Sequence, residues 1–378
     1  MKIFAALLAA GALLPSPLAA MEIRSCHAQL RTAPLNDERG VQSLLVQAIA
    51  IVNDGKSAVR IAGLDFDLLA KGVLRDRRSL DVADVAKAVA SAPQIAAMNR
   101  IFPSQFCNGA LLRGAALANA DLIAPGEAVV FLYQPFAWKG ARDTLRLTAR
   151  EEGKGETVRD FPIRAEASAT PALFPIAGRS YVGAGASFQS HHRWASVEEF
   201  ALDIAMLDGA ATHKGDGLVL SDYRIYGAPV RAVADGVVAR TKADVPDNVA
   251  MLKRTGETDA AYLDRLIEAQ TTLLSQGIEA VQGNYVIVDH RNGEFSVYAH
   301  LKPESVRVKP GDSVGTGETI GTVGSSGNST EPHLHFQMCD TADIATCRAI
   351  PTVFRGVRLP LELAPRSIQS GDIVETSE

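Results

Sequence analysis

From Ser305 to Thr330 the chain reads SVRVKPGDSVGTGETIGTVGSSGNST, where glycine, aspartate or asparagine interrupts every apolar residue before a helical turn could close. Glycine in a helix interior costs roughly 0.5–1 kcal/mol relative to alanine and readily takes positive φ. Short strands and tight turns are what such a stretch can build. The segments before it keep the same rhythm. APVRAVADGVVARTKA and GNYVIVDHRNGEFSVYAHL are strand-like runs, and Asn292-Gly293 between two of them is a hairpin signal.

Within this β-rich half, NSTEPHLHFQM (Asn328 to Met338) puts two histidines one residue apart. Alternate strand residues share a face, so His333 and His335 point together while Leu334 and Phe336 serve the opposite side. Two further groups suit a shared site. FALDIAML places Asp203 in an apolar strand, where a carboxylate needs a partner or a cation. SVYAHL ends the hairpin at His300, on the face of Tyr298 and Ser296 by strand alternation. Two histidines and a carboxylate around a zinc, with an open position, form a catalytic arrangement, and imidazoles left over can move protons.

The blocks GAPVRAVADGVV, GNYVIVDH, YAHL, VKPGDSVGTGETIGTVGSSGNST and EPHLHF, in this order, resemble the signatures of lysostaphin-type (LytM-type) zinc endopeptidases. The resemblance covers about residues 200–338. It implies a Zn2+ enzyme that cleaves peptide cross-links of bacterial peptidoglycan, at a D-alanine–diaminopimelate link or a glycine-containing bridge, with stem peptides as its partner. It further implies that Asp203 and His335 are metal ligands and that His300 and His333 are catalytic. The same glycine-rich block also resembles the hammerhead of biotinyl and lipoyl domains, but no attachment lysine of the Met-Lys-Met type follows.

The chain departs from the family pattern at one ligand. His-x-Gly-x-Asp is usual, yet Glu199 stands where that histidine is expected. HKGDG at His213 mimics the motif with Gly217 in place of the aspartate and reads as a surface insertion. SHHRWASVEEFALD offers His191 and His192 upstream. His192 is the expected third metal ligand, because neutral imidazole suits zinc and leaves the site less negative than Glu199 would. Glu199, His191 and His213 are the alternatives. The missing histidine also sustains a second reading, a degenerate, non-catalytic domain that regulates another cell-wall hydrolase as its partner.

The remaining features set the frame. Residues 1–20, MKIFAALLAAGALLPSPLAA, read as a signal peptide, so the protein is expected to be exported, periplasmic or extracellular, with no stable membrane insertion afterwards. A formal charge of -5 and the lack of a basic run exclude nucleic acid as an expected partner. In an oxidising compartment the four cysteines are expected as two disulfides, Cys26 with Cys107 and Cys339 with Cys347. The expected fold is mainly β. A β-sandwich-like domain with an alanine-rich helical excursion spans 21–165, and a Pro- and Ala-rich linker spans 166–180. The LytM-type domain spans 181–378, with its core at 200–338. A helical insertion at 257–280, apolar at Tyr262, Leu263, Leu266, Ile267, Leu273 and Leu274, is expected to pack over the sheet. His27 and His290 are expected to be structural or solvated.

Overall fold

The N-terminal half of the computed structural model, which describes residues 21–36, 39–153, 155–207, 209–362 and 366–376, consists of two packed sheets. The expected signal segment lies outside the described residues. One sheet takes Met21–Ser25, Val41–Asn53, Glu127–Lys139 and Ala116–Leu117 in that order, with Ala33–Asn36 paired to the start of Val41–Asn53. The other takes Leu30–Arg31, Glu156–Arg164, Thr144–Glu151, Val59–Ala70 and Val73–Leu80. Val41–Asn53 is apolar almost throughout because both of its faces are covered. Leu44, Val46, Ile49 and Ile51 join Phe66, Leu145, Leu147 and Phe161 in the inter-sheet core. Ala48, Ala50 and Val52 pack with Ile95 of the helical excursion and with Phe106 of the 3-10 turn Pro103–Gly109 that follows it.

That excursion is two helices, α1 (Val82–Ala90) and α2 (Ala92–Ile101), broken at Ser91. Asp81 caps α1 by accepting hydrogen bonds from the amides of Ala83 and Asp84. The turn at Asn53 joins the two sheets instead of closing a hairpin. Asn53 donates to the carbonyls of Ser57 and Ile123 and accepts from the Gly55 amide, which fixes the corner.

The C-terminal half is built on one antiparallel sheet. Its strand order is Ser313–Val314, Gly236–Lys242, Tyr285–Asp289, Phe295–Ala299, Leu334–Cys339, Leu202–Met206, Arg179–Ala184, Ile373–Thr376 and Val357–Arg358. Ala349–Ile350 pairs with Leu334–Cys339. The hairpin around Asn292-Gly293 pairs as its sequence indicates, with Val286 opposite Tyr298 and Asp289 opposite Phe295. Part of the expected linker belongs to this half: Ala172, Phe174 and Ile176 are buried in its core. Both expected disulfides are present, Cys26–Cys107 and Cys339–Cys347.

The helical insertion differs from expectation. The helix α3 (Asp259–Ser275) buries only Leu274, and leaves Leu263 57% and Ile267 54% exposed. It does not cover the sheet. Its anchors go to the loop before it: Arg265 pairs with Glu257 and donates to the carbonyls of Ala250 and Leu252, and the Tyr262 hydroxyl donates to the Met251 carbonyl. Among the described residues no helix is long and apolar enough to cross a membrane.

Candidate metal centre

Strand register brings the first two groups together. Asp203 lies directly opposite His335, and on the other side of the same strand Ala299 lies opposite His335. The Asp203 carboxylate is the hub. Its Oδ1 is 3.3 Å from His335 Nδ1, 3.4 Å from His333 Nε2 and 2.9 Å from His192 Nε2. His192 is brought in by a short 3-10 turn, His192–Trp194, ahead of the strand. The His191 ring, exposed at the rim, places its Nε2 3.6 Å from Asp203 Oδ2.

His300 arrives by a route that strand alternation misses. Continued alternation would send it with Tyr298 into the core beside Phe336, where Tyr298 sits. The pairing ends at Ala299, and His300 takes φ of +60°, a region that non-glycine residues enter at a cost. That reversal turns the ring to the histidine face, with its centroid 4.7 Å from that of His333 and 5.8 Å from that of His335. The sequence expectation that His300 shares the face of Tyr298 and Ser296 is therefore corrected. The hydroxyls of those two residues bond to each other in the interior, at 3.0 Å.

The other candidates lie elsewhere. Glu199 precedes the strand within a turn, and its carboxylate sits 3.4 Å from the fully buried Arg193 guanidinium. His213 stacks against Tyr223, with ring centroids 5.3 Å apart. His290 is half-buried and engaged at both nitrogens, Nδ1 with the Asp235 carbonyl and Nε2 with the Ser296 hydroxyl, so the solvated reading does not apply. His27 is half-buried near Arg348 and Arg31. Burial first, then those cations, lower its pKa to about 4.

Hydrogen-bond partners assign the imidazole tautomers. Nδ1 of His192 faces the Glu198 carboxylate at 3.3 Å and donates to it, so in the neutral form that a metal ligand requires, the Nε2 lone pair is directed at Asp203. The Gln337 amide donates to the Val197 carbonyl, so its oxygen is free to accept from His335 Nε2 at 3.0 Å; the Nδ1 lone pair of His335 then faces Asp203. The Nδ1 of His300 donates to the Ser326 carbonyl at 2.9 Å and that of His333 to the Glu331 carbonyl at 2.7 Å. Nε2 of His300 is left for other contacts, and Nε2 of His333 faces Asp203 Oδ1 at 3.4 Å. Ser329 lies 3.3 Å from His333 Nδ1, and Asn284 ties Val245 to Leu301 beside His300.

His192 Nε2 and Asp203 Oδ1 are buried without a hydrogen-bond partner although they are only 2.9 Å apart. Two acceptor atoms converging in this way fit a cation, and a third lone pair, on His335 Nδ1, points to the same place. His191, His192 and Asp203 also offer ligand atoms within 4.8 Å of one another. The donor set suits a metal. Burial disfavours the charged form of Asp203, but when no cation is bound the His192 and His333 imidazoles carry protons that hold its carboxyl well below the usual range, and the Asp203 and Glu198 carboxylates overcome burial to raise His192 to about 10; a bound metal would displace those protons. Glu198 is likewise opposed by burial, and the hydrogen bond from His192 brings it down to about 2. Burial pushes His300 well below its ordinary value, and His333 and His335 add to the shift.

Glu198 and Gln337 are the members that motif reading passed over. Gln337 shares a strand face with His335 by parity, and Glu198 follows His192 closely enough to fold back on it. Both signals were present in the sequence, but only contact distances separate such residues from other polar neighbours.

Residues 268–345 match Peptidase family M23, a stretch that includes His300, His333 and His335. The chain is 48% identical over 56 residues to the cell division protein DipM of Caulobacter vibrioides, covering 15% of this chain and 9% of that protein. It is 46% identical over 55 residues to the peptidoglycan DD-endopeptidase ShyC of Vibrio cholerae, covering 15% and 12%. A DD-carboxypeptidase/endopeptidase, Mpg of Neisseria gonorrhoeae, is 41% identical over 69 residues, covering 18% and 15%. The chain thus spans well under a fifth of each of these relatives. Among solved structures, the catalytic domain of lysostaphin from Staphylococcus simulans is 20% identical, with 46% of this chain and 88% of that one covered at a TM-score of 0.25. The C-terminal half of this protein carries a peptidase family M23 domain of the LytM type at residues 268–345.

Proposed function

We propose that this protein is an exported zinc metallopeptidase that hydrolyses peptide cross-links of bacterial peptidoglycan. One observation carries the reading: ring nitrogens of His192 and His335 converge on the Asp203 carboxylate, while two further imidazoles, His300 and His333, stand beside them, each held at Nδ1 by a backbone carbonyl. His192, Asp203 and His335 would hold the zinc. Zinc bound there would lower the pKa of a water and polarise the scissile carbonyl. His300 and His333, each fixed at Nδ1 by a backbone carbonyl, accept and return a proton at Nε2 as the carbonyl carbon gains the hydroxyl and the amine leaves. Glu198 and Gln337 orient the two imidazole ligands from behind. The substrate class comes from the named relatives, two of which are DD-endopeptidases, so the D,D-cross-link is the first bond to examine.

The test is zinc content of the purified protein together with digestion of purified peptidoglycan, the released fragments being read by mass spectrometry. About one zinc per chain and conversion of cross-linked dimers to monomers, abolished by a chelator, is the expected result. A metal-free protein that cleaves nothing would overturn the enzyme reading and leave the regulatory one.

A further inference from the structure

We infer that the N-terminal sandwich forms part of the metal-site apparatus, with Gln47 and Gln105 acting as positioning residues for the loop that presents His192. This rests on the reading of His192 as a zinc ligand. His192 lies outside the sheet that fixes Asp203 and His335, so something other than strand register must set its place. The structure supplies it from the other half of the chain. Gln47, in the strand Val41–Asn53, donates from Nε2 to the Arg193 carbonyl at 2.9 Å. Gln105 donates from Nε2 to Gln47 Oε1 at 2.9 Å and accepts at Oε1 from the Ser196 amide at 3.0 Å. The Ser196 hydroxyl then donates to the Ser104 carbonyl at 3.1 Å.

The two amides are 8% and 4% exposed, and every polar atom among these contacts has a partner of the right kind, so the pair has a single orientation. The attachment points flank the site. Arg193 directly follows His192, and Ser196 lies between His192 and Glu198, the carboxylate that orients the His192 ring. The Arg193 side chain is trapped as well, fully buried, with Ser43 of the sandwich 3.3 Å from its guanidinium and the Phe200 ring beneath it. Gln105 itself sits on the turn closed by the Cys26–Cys107 disulfide, whose Cys26 sulfur is 3.8 Å from the Gln105 carbonyl oxygen. A rigid support therefore runs from the sandwich core to one imidazole ligand. Partners that orient a metal ligand typically contribute about 10–100-fold to metal affinity.

The experiment compares full-length Gln47→Leu and Gln105→Leu with Asn53→Leu. Asn53 is an equally buried side chain of the sandwich, bonded only within that domain, and controls for general destabilisation. Three readouts are taken: zinc affinity by chelator competition, the visible spectrum of the cobalt-substituted protein, and amide hydrogen exchange at Ala195 and Glu198 in metal-free protein. The amides of Ala195 and Glu198 bond within the loop, to His192 and Ala195. Both glutamine variants are expected to bind zinc about 10–100-fold more weakly, to shift the cobalt spectrum and to lose protection at these amides. Asn53→Leu should leave all three unchanged while lowering thermal stability. Folded glutamine variants with wild-type affinity and spectrum would overturn the inference. If the unsubstituted protein binds no zinc, the zinc reading falls, and the exchange measurement still decides the brace: unchanged protection at Ala195 and Glu198 rejects it.

Discussion

His192 Nε2 lies 2.9 Å from Asp203 Oδ1, whereas Glu199, the nearer residue in sequence, turns its carboxylate to Arg193 at 3.4 Å. The local backbone explains the exchange. The strand begins at Leu202, so the even spacing of Glu199 and Asp203 does not put them on one face. Burial raises the pKa of Glu199, with the Arg193 cation as the main opposing influence.

Zinc stoichiometry should therefore separate the two candidates. His192→Ala is expected to lose the metal, since a ligand is removed. Glu199→Gln is expected to keep it, but leaves Arg193 buried without its counter-charge. Breaking a buried pair from one side typically costs about 3–5 kcal/mol, which urea unfolding would detect. Metal loss in Glu199→Gln alone would refute the ligand assignment.

Ligands and proton-transfer groups should also part company on the sheet. His335→Ala and Asp203→Ala are expected to lose zinc. His300→Ala should retain it while cleavage of peptidoglycan falls about 10²–10⁴-fold. Full activity in His300→Ala would remove that residue from the mechanism.

The φ of +60° at His300 gives an independent check on stability. An alanine there keeps the Cβ that makes this region costly, and a glycine does not. His300→Gly is expected to melt above His300→Ala, by about 1–2 kcal/mol of stability at that residue. Equal melting of the two would mean that the position is unstrained.

Gln337 connects the second imidazole to a disulfide, since its Nε2 lies 3.0 Å from the Cys339 sulfur and 3.3 Å from that of Cys347. Gln337→Leu frees the His335 ring, and zinc affinity should drop about 10–100-fold in chelator competition. Cys347→Ser opens a loop of sequence separation 8, for which chain entropy gives about 2–3 kcal/mol of lost stability. Non-reducing peptide mapping should find the Cys339–Cys347 link in the unsubstituted protein.

Acid should loosen the α3 insertion before the sheet. The hydrogen bond from Arg265, then that from the Arg254 amide and the charge of Arg265, bring Glu257 down to about 2 from an ordinary 4.5. A carboxylate with a depressed folded pKa contributes its stabilisation above the ordinary value and loses it as pH falls towards the folded one. Protection of the Asp259–Ser275 amides, taken relative to the intrinsic exchange rate at each pH, is expected to fall between pH 4.5 and 2, and Glu257→Gln should show the lower protection at neutral pH. An insertion whose protection is flat over that range would show that Arg265 and Glu257 do not anchor it.

Much of the site was legible along single strands. Period-two alternation put His333 and His335 on one face, and the cost of a lone strand carboxylate marked Asp203. Cysteine placement indicated the two pairings that the structure holds. One miss depends on where regular alternation stops. His300 reverses face at a positive φ that its residue type does not announce. The α3 apolar positions suggested a packed face, yet the preceding loop took up its anchoring side chains.

The sequence by itself determined the strand-and-turn character of the C-terminal half, the shared face of the two histidines and the need of Asp203 for a partner. These follow from backbone sterics and from the desolvation of a charge, which act over a few residues. Tertiary structure alone decided which distant group answers Asp203 and which side chains hold it there. His192, Glu198, Gln337 and the Gln47–Gln105 pair meet because strand register and the packing of two domains close loops whose ends are far apart in sequence. Local preference carries no information about such closures, because their free energy comes from contacts that exist only once the chain has folded.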